Sequence, residues 1–127
     1  MPDKKYKIAI IEDEPFLASM YATKFELEGF EVVRASDGQE GIKMVREQKP
    51  DLVLLDIVMP KVDGFEVLTE LRKSPDISNI PVILLTNLGQ RSDIEKGLSL
   101  GARDYIVKAS YTPAQVVAKV KQHLGIK

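Results

Sequence analysis

Five polar or ionisable side chains follow four short apolar segments of the chain, two of them after the first segment. They are Glu12, Asp13, Asp56, Thr86 and Lys108. Three carboxylates brought together repel one another unless a proton neutralises one of them or a cation is held among them. All-oxygen ligands favour a hard ion, and a site with few carboxylates keeps bound water. The sequence therefore predicts Mg²⁺ at this cluster.

Asp56 is the carboxylate best placed for covalent chemistry. It directly follows the apolar residues 52–55, which should make it the least mobile of the three acidic residues. A rigid carboxylate beside Mg²⁺ and the ammonium of Lys108 can attack a phosphoryl group, because the two cations offset the charge on the transferred oxygens. Thr86 could donate a hydrogen bond to one of those oxygens. The pattern indicates phosphoryl transfer to Asp56.

These residues meet only if the apolar segments lie side by side as parallel strands. The segments alternate with longer stretches of helical period, which is typical of an α/β protein with a doubly wound, five-stranded parallel sheet and helices on both faces. Ligands of such sheets lie beyond the carboxyl ends of the strands. The predicted strands 6–11, 51–55 and 81–85 contain the runs 8–11, 52–55 and 82–85, which are apolar without alternation, and these strands are predicted to be central. The predicted strand 30–34 contains charges and is predicted to be an edge strand. The fifth predicted strand is 104–107.

Capping signals indicate where two of the helices begin. Residues 37–40 and 112–115 both have the spacing of a capping box, and Pro113 suits the first position of a helix. Apolar residues at helical spacing are predicted to pack on the sheet. They are Phe16, Met20 and Phe25 on the first helix and Val116, Val117, Val120 and Leu124 on the last.

The composition restricts the classes of protein that remain. A chain of 127 residues, with 44% hydrophobic and 29% charged residues, fits a single domain over residues 1–127. A formal charge of -1 gives no general attraction for nucleic acid, and the absence of cysteine excludes thiolate metal sites and suits a reducing compartment. The first apolar run, residues 8–11, is too short for a secretory signal or a membrane span. We therefore expect a cytoplasmic protein with no membrane and no direct nucleic-acid partner.

Several motifs resemble the receiver domain of two-component response regulators. They are the acidic pair Glu12-Asp13, the segment DIVMPKVDG from Asp56 to Gly64, Thr86, and the segment GARDYIVK from Gly101 to Lys108. Their order and spacing are those of the family, and the likeness covers residues 6–124. The resemblance implies a flavodoxin-like fold with the strand order 2-1-3-4-5, which is the order in the chemotaxis regulator of the same family.

The resemblance implies a role for each residue of the acidic cluster. Asp56 would accept a phosphoryl group from a phosphohistidine, and Lys108 would pair with that group. Asp13, Asp56 and the backbone carbonyl of Val58 would bind Mg²⁺, with Glu12 assisting through water. The chain would catalyse its own phosphorylation and dephosphorylation, and we expect no turnover of an external substrate.

The resemblance also implies a switch and its partners. The hydroxyl of Thr86 would turn toward the phosphoryl group and the ring of Tyr105 would move inward behind it, altering the surface of the fourth helix, fifth strand and last helix. A histidine kinase or histidine phosphotransfer protein would act upstream in the phosphorelay, and another protein would bind the altered surface. We expect a monomer or a dimer promoted by phosphorylation. His123 is predicted to be a surface residue. Because no sequence follows Lys127, we expect no DNA-binding or enzymatic output unit in this chain, which would be either a free-standing regulator or an excised receiver.

Two positions depart from the usual pattern of the family. Asn87, after Thr86, is larger than the small residue usual there and would narrow the phosphoryl pocket. Ala109 stands where the family commonly has a proline after a cis peptide bond. The bond between Lys108 and Ala109 is therefore predicted to be either a strained cis bond or a trans bond that changes how Lys108 approaches the site. Val58 and Leu88 flank the path of the hydrolytic water in the family, and because both are apolar we expect slow loss of the phosphoryl group.

Other functions of the same fold fit the residues less well. A flavodoxin needs Ser, Thr and Gly donors after the first strand, whereas residues 12–15 are EDEP and would repel the phosphate of FMN. A nicotinamide-binding fold needs a glycine fingerprint, which the sequence lacks. Phosphatases with an aspartyl nucleophile resemble a pattern with a second aspartate two residues later, where this chain has Val58. A phosphorylation-independent binding module stays open as the alternative, and Asn87 and Ala109 support it.

Overall fold

Five parallel strands form one sheet at the centre of the molecule. The structure is a computed structural model and describes residues 5–126. The strands are β1 Lys7–Ile11, β2 Glu31–Ala35, β3 Leu52–Leu55, β4 Val82–Thr86 and β5 Asp104–Val107. They pair in the order β2-β1-β3-β4-β5, and every pair is parallel. The predicted α/β fold, the strand order and the edge position of β2 are confirmed.

Five helices cover the two faces of this sheet. They are α1 Pro15–Leu27, α2 Gly38–Gln48, α3 Gly64–Lys73, α4 Arg91–Ser99 and α5 Pro113–Leu124, and a short 3-10 turn at Lys108–Ser110 follows β5. The predicted capping box of α5 is confirmed, because the Thr112 and Gln115 side chains each accept the other's backbone N–H. Asp37 caps α2 by accepting a hydrogen bond from the N–H of Glu40 at 2.8 Å. Within residues 5–126, every helix is too short or too polar to span a bilayer.

The sheet separates two apolar layers, because successive side chains of a strand point to opposite faces. Ala9, Ile11, Val53 and Leu55 lie in one layer with side chains of α2 and α3. Ile8, Ile10, Leu52 and Leu54 lie in the other with side chains of α1 and α5, which we call the α1/α5 layer. All residues of β3 and β4 are buried, as predicted for central strands.

The predicted core face of α1 is wrong at two of its three positions. Phe25 is fully buried, but Phe16 is 81% exposed and Met20 is 36% exposed. No charged residue occurs between positions 15 and 23, so the hydrophobic pattern does not single out one face of the helix. The side chains that α1 buries are Ala18, Tyr21, Ala22 and Phe25.

The last helix packs as predicted, with one correction at its end. Its three valines are buried and Leu124 is partly buried against the same layer. His123, predicted to be a surface residue, is instead partly buried, and its Nε2 lies 2.8 Å from Oδ2 of Asp104. The Lys119 ammonium lies 3.7 Å from the same carboxylate. These contacts connect the end of α5 to the start of β5.

Candidate functional site

The carboxyl ends of β1, β3 and β5 bring Glu12, Asp56 and Lys108 together. The N–H of Asp56 donates to the carbonyl of Ile11 at 3.0 Å, which sets the two strand ends at the same level. The Lys108 ammonium contacts the Glu12 carboxylate and lies 3.0 Å from Oδ2 of Asp56. The three side chains are 5–8% exposed. Lys108 is thus the counter-ion of two buried carboxylates.

Asp13 completes a group of three acidic residues, which we call the acidic rim. Carboxylate oxygens of Glu12, Asp13 and Asp56 all lie within 4.8 Å of one another, with Asp13 exposed and the other two buried. In the described part of the chain this is the one group of three or more acidic or histidine residues that could hold a metal ion. Its donors are carboxylate oxygens alone, which suits Mg²⁺. The structure therefore brings together the acidic residues that the sequence predicted.

The loop between β3 and α3 fixes the orientation of Asp56. Its Oδ1 accepts hydrogen bonds from the N–H groups of Ile57 at 2.7 Å and Val58 at 3.4 Å, while Oδ2 faces Lys108. The N–H of Gly64 donates to the carbonyl of Ile57 at 2.8 Å. A Cβ at position 64 would lie 2.6 Å from the Cα of Ile57, so only glycine fits. The sequence interpretation assigned no role to Gly64, although an aspartate cap before a glycine is a signal for such a loop.

Burial and ion pairing act against each other at the rim. Burial raises the pKa of the Glu12 carboxyl, and the hydrogen bonds from Lys108 and from the N–H of Glu14 offset only part of that rise. Burial also disfavours the charge of Lys108, but the hydrogen bond to Glu12 and the charge of Asp56 outweigh it, so the pKa of Lys108 is raised. Lys108 is therefore a firmly held cation among carboxylates.

Thr86 and Tyr105 are linked through the backbone of Leu88. Thr86 is fully buried at the end of β4, and its Oγ1 accepts a hydrogen bond from the N–H of Leu88 at 3.4 Å. The hydroxyl of Tyr105 donates to the carbonyl of the same residue. Burial, followed by the charges of Asp93 and Asp56, raises the pKa of Tyr105 to about 12. The sequence interpretation placed Leu88 beside a water path and missed this bridge, since backbone groups leave no residue-type signal.

The backbone at Lys108 takes one of the two expected geometries. All peptide bonds within residues 5–126 are trans, including the bond from Lys108 to Ala109. The 3-10 turn Lys108–Ser110 begins at this bond. The Lys108 ammonium nevertheless reaches both buried carboxylates.

Sequence comparison relates this chain to a known family of proteins. The profile of the response regulator receiver domain matches residues 8–121. The chain is 40% identical over 124 residues to the probable transcriptional regulator ycf27 of Pyropia yezoensis, covering 98% of this chain and 49% of that protein. It is 41% identical over 118 residues to the phosphate regulon transcriptional regulatory protein PhoB of Rhizobium meliloti (strain 1021), covering 93% and 52%. The chain thus spans about half the length of these curated relatives.

Solved structures agree with the sequence comparisons. The BeF3-activated N-terminal receiver domain of Klebsiella pneumoniae RstA is 34% identical, with a TM-score of 0.86 over 93% of this chain and 97% of that one. Chemotaxis protein CheY4 of Vibrio cholerae, at 23% identity, shares the fold with a TM-score of 0.87 over 94% and 98%. Receiver domains are signalling modules, and they are not enzymes that turn over a separate substrate. The chain belongs to the response regulator receiver domain family of two-component signalling.

Proposed function

We propose that the chain is a phosphoacceptor switch in which Asp56 takes a phosphoryl group from the phosphohistidine of a histidine kinase or a histidine phosphotransfer protein. The observation that carries this proposal is the acidic rim with its single ammonium. A structural ion pair needs one carboxylate for each cation, whereas Lys108 faces two buried carboxylates and Asp13 lies beside them. Such an excess of negative charge suits a site that takes up a further cation.

Four residues would hold that cation. Asp13, Asp56 and the backbone carbonyl of Val58 would bind Mg²⁺, and Glu12 would assist through water. Bound Mg²⁺ supplies positive charge that offsets the charge on phosphoryl oxygens. The oxygen donors of the rim fit this ion.

The covalent step needs a fixed nucleophile and a cation beside it. A carboxylate oxygen of Asp56 bonds to phosphorus while the phosphorus–nitrogen bond of the phosphohistidine breaks and its electron pair leaves on the imidazole nitrogen. The backbone N–H groups of residues 57 and 58 hold one Asp56 oxygen in place during this attack. Lys108 lies 3.0 Å from the other oxygen and would pair with the phosphoryl group.

The phosphoryl group is lost by hydrolysis at the same site. The oxygen of a water molecule bonds to phosphorus and the bond to the Asp56 oxygen breaks, which restores the carboxylate and releases inorganic phosphate. Val58, 58% exposed beside Asp56, and Leu88 offer no polar group to orient that water. The dephosphorylation is therefore slow, and an acyl-phosphate half-life of seconds would contradict this.

The bridge at Leu88 would carry the switch. When the Thr86 hydroxyl turns toward the phosphoryl group it leaves the N–H of Leu88, and the carbonyl of Leu88 no longer holds Tyr105 in its present position. The surface of α4, β5 and α5 then changes, and a downstream protein or a second copy of the chain binds it.

We place this single receiver domain over residues 1–127, of which 1–4 and 127 lie outside the described part, and we place the protein in the cytoplasm.

The phosphodonor protein would dock on α1. An exposed and mainly apolar surface lies along the outer face of the helix and begins at Glu14, next to the acidic rim. Phe16, 81% exposed, projects at its rim end. An apolar surface beside the nucleophile suits a helical donor, which must bring its phosphohistidine to Asp56. This surface is formed by Glu14, Pro15, Phe16, Ser19, Met20 and Thr23.

The decisive experiment uses small phosphodonors. The wild type and Asp56→Asn are incubated with acetyl phosphate or beryllofluoride, with and without Mg²⁺, and followed by intact mass and amide NMR. We expect acetyl phosphate to add one phosphoryl group to the wild type alone, and only with Mg²⁺. No mass gain, or the same gain on Asp56→Asn, would favour the phosphorylation-independent binding module instead.

A further inference from the structure

We propose that the Lys96 ammonium, which lies over the ring of Phe65, is a latch that holds α4 in its resting position and opposes the switch. The contact joins α4 to the first turn of α3. The inference rests on the proposed function in one respect, namely that the surface around α4 changes when the acidic rim is loaded. The sequence interpretation gave neither residue a role.

Helix α4 has the fewest buried residues of the five helices. Of its nine residues Gly97 alone is buried, whereas the other four helices bury three to five residues each. Gln90, at its N-cap, makes no side-chain hydrogen bond to the first turn. A glycine inside a helix also lowers the stability of that helix. The position of α4 therefore depends on few contacts.

The first of these contacts places α4 on the tyrosine of the proposed switch. A Cβ at Gly97 would lie 2.5 Å from Cδ1 of Leu84 and 3.2 Å from Cδ2 of Tyr105. The backbone of α4 thus lies directly against the Tyr105 ring. An inward movement of that ring removes part of the surface on which α4 packs.

The second contact comes from the neighbouring residue, Lys96, and reaches α3. Its Nζ lies 4.5 Å from the centroid of the Phe65 ring. The face of an aromatic ring carries negative charge and attracts a cation placed over it. Within residues 5–126 the ammonium has no carboxylate partner, so the ring is what holds it.

The Phe65 ring is fixed independently of α4. It is 9% exposed in the core, and it follows Gly64, whose N–H donates to the carbonyl of Ile57 beside Asp56. When α4 moves with Tyr105, the ring stays in place, and the ammonium leaves it. A contact that is made in only one of two states favours that state. The latch therefore lowers the population of the switched state.

The test removes the charge and keeps the length of the side chain. Lys96→Gln, which has a similar helix propensity, is compared with Lys96→Arg, which keeps a cation, and with Lys43→Gln, an exposed lysine of α2. Beryllofluoride is titrated in the presence of Mg²⁺ and followed through the amide resonances of Leu88 and Tyr105. We expect Lys96→Gln to reach half-saturation at about one third of the wild-type concentration, because more molecules already have the binding-competent conformation. The two control variants should titrate as the wild type does.

Hydrogen exchange tests the latch without any ligand. We expect Lys96→Gln to speed the exchange of the α4 amides about threefold, since α4 opens more often. Phe65→Leu keeps an apolar side chain and removes the ring. In that background Lys96→Gln should change neither measurement. An effect that persists there would show that Lys96 acts on the helix dipole and would overturn the inference.

Two further results would overturn it. One is unchanged α4 exchange in Lys96→Gln, and the other is faster exchange with an unchanged beryllofluoride titration. A wild type that binds no beryllofluoride would count against the proposed function, and the exchange measurements alone would then decide whether Lys96 holds α4.

Discussion

Lys108 holds two carboxylates that are largely buried. Glu12 and Asp56 are each less than a tenth exposed, and the Lys108 ammonium contacts both. Taking charges out of water costs several kcal/mol for each ion, and a partner recovers this only through close geometry and hydrogen bonds. The N–H groups of Glu14 and Ile57 supply such hydrogen bonds to the carboxylates. Removal of the one cation therefore leaves an uncompensated buried charge.

We expect Lys108→Met to lower the free energy of unfolding by about 3 kcal/mol near neutral pH. Burial already raises the pKa of Glu12 against the opposing hydrogen bond of Lys108, and loss of Lys108 raises it further. A raised carboxyl pKa means that the folded state binds the proton more tightly than the unfolded state does. The stability deficit is therefore full above the raised pKa and shrinks as the pH falls through it toward the ordinary value of 4.5.

Urea unfolding at about pH 7 and about pH 5 measures this difference. Lys73→Met is the control, since Lys73 pairs with Glu70 on the surface, where its side chain is 69% exposed. That substitution should cost less than about 0.5 kcal/mol at either pH. Equal costs for the two lysines would show that Lys108 is not the counter-ion described here.

Among the elements, the loop from β3 to α3 is closed by a backbone hydrogen bond between its two ends. It carries Asp56 at one end and Gly64 at the other, and the Gly64 N–H returns to the carbonyl of Ile57. The first turn of α3 therefore lies directly against the backbone beside Asp56. The position of Asp56 depends on this contact as well as on the strand.

Gly64→Ala should displace that loop. The new Cβ would lie 2.6 Å from the Cα of Ile57, and a backbone atom cannot move aside as a side chain can. We expect a loss of about 2 kcal/mol in the free energy of unfolding and slower phosphorylation by acetyl phosphate. Gly89→Ala is the control, because its Cβ would meet Val107 at an ordinary 3.6 Å. If both variants retain wild-type stability and rate, the close packing at Gly64 contributes neither to the free energy of unfolding nor to the rate of phosphorylation.

Substitutions on the outer face of α1 test whether the donor protein docks there. Phe16→Ala should slow phosphoryl transfer from the phosphohistidine of a cognate kinase about tenfold, as loss of one apolar anchor does, and leave the acetyl phosphate rate unchanged. Leu27→Ala is the matched control, since Leu27 is 77% exposed at the far end of the same helix. Radiolabelled transfer assays compare the two. A Phe16→Ala variant that loses both reactions equally would place Phe16 in the rim and not in a docking surface.

For the molecule as a whole, binding at the rim is linked to unfolding. Any ion that binds the folded chain and not the unfolded one adds to the free energy of unfolding. The acidic rim exists only when β1 and β3 are paired, since Glu12 and Asp13 follow one strand and Asp56 the other. Binding of Mg²⁺ at the rim therefore stabilises the entire sheet.

We expect Mg²⁺ at about ten times its dissociation constant to raise the free energy of unfolding by about 1.4 kcal/mol. Asp13→Asn should abolish most of this gain, because it removes one of the three carboxylates of the rim. Asp76→Asn, an exposed aspartate outside the rim, should keep it. Thermal unfolding with and without Mg²⁺ gives the comparison, and an equal gain in all three proteins would indicate a general salt effect.

Much of this architecture could be predicted from sequence because parallel strands that are buried on both faces must be apolar throughout. The runs in β1, β3 and β4 mark the centre of the sheet, and polar residues that interrupt such runs must lie at the strand ends. Glu12 and Asp56 could be found in this way, and Thr86 ends the buried run of β4.

The parts that could not be predicted depend on contacts that residue types do not encode. The apolar residues of α1 surround the helix in its first turns, so Phe16 could not be distinguished from a core residue such as Phe25. The bridge from Thr86 to Tyr105 runs through the backbone of Leu88, which any residue type could supply. His123 acquires its partner only when α5 packs beside β5.

The parallel sheet separates the members of the Lys108 ion pairs by long stretches of chain. Glu12 lies 96 residues before Lys108, and Asp56 lies 52 residues before it. On a ribosome, both carboxylates leave the exit tunnel well before the ammonium that neutralises them, and contacts so remote in sequence form slowly. A nascent chain therefore lacks the cation that neutralises Glu12 and Asp56 until Lys108 has left the tunnel.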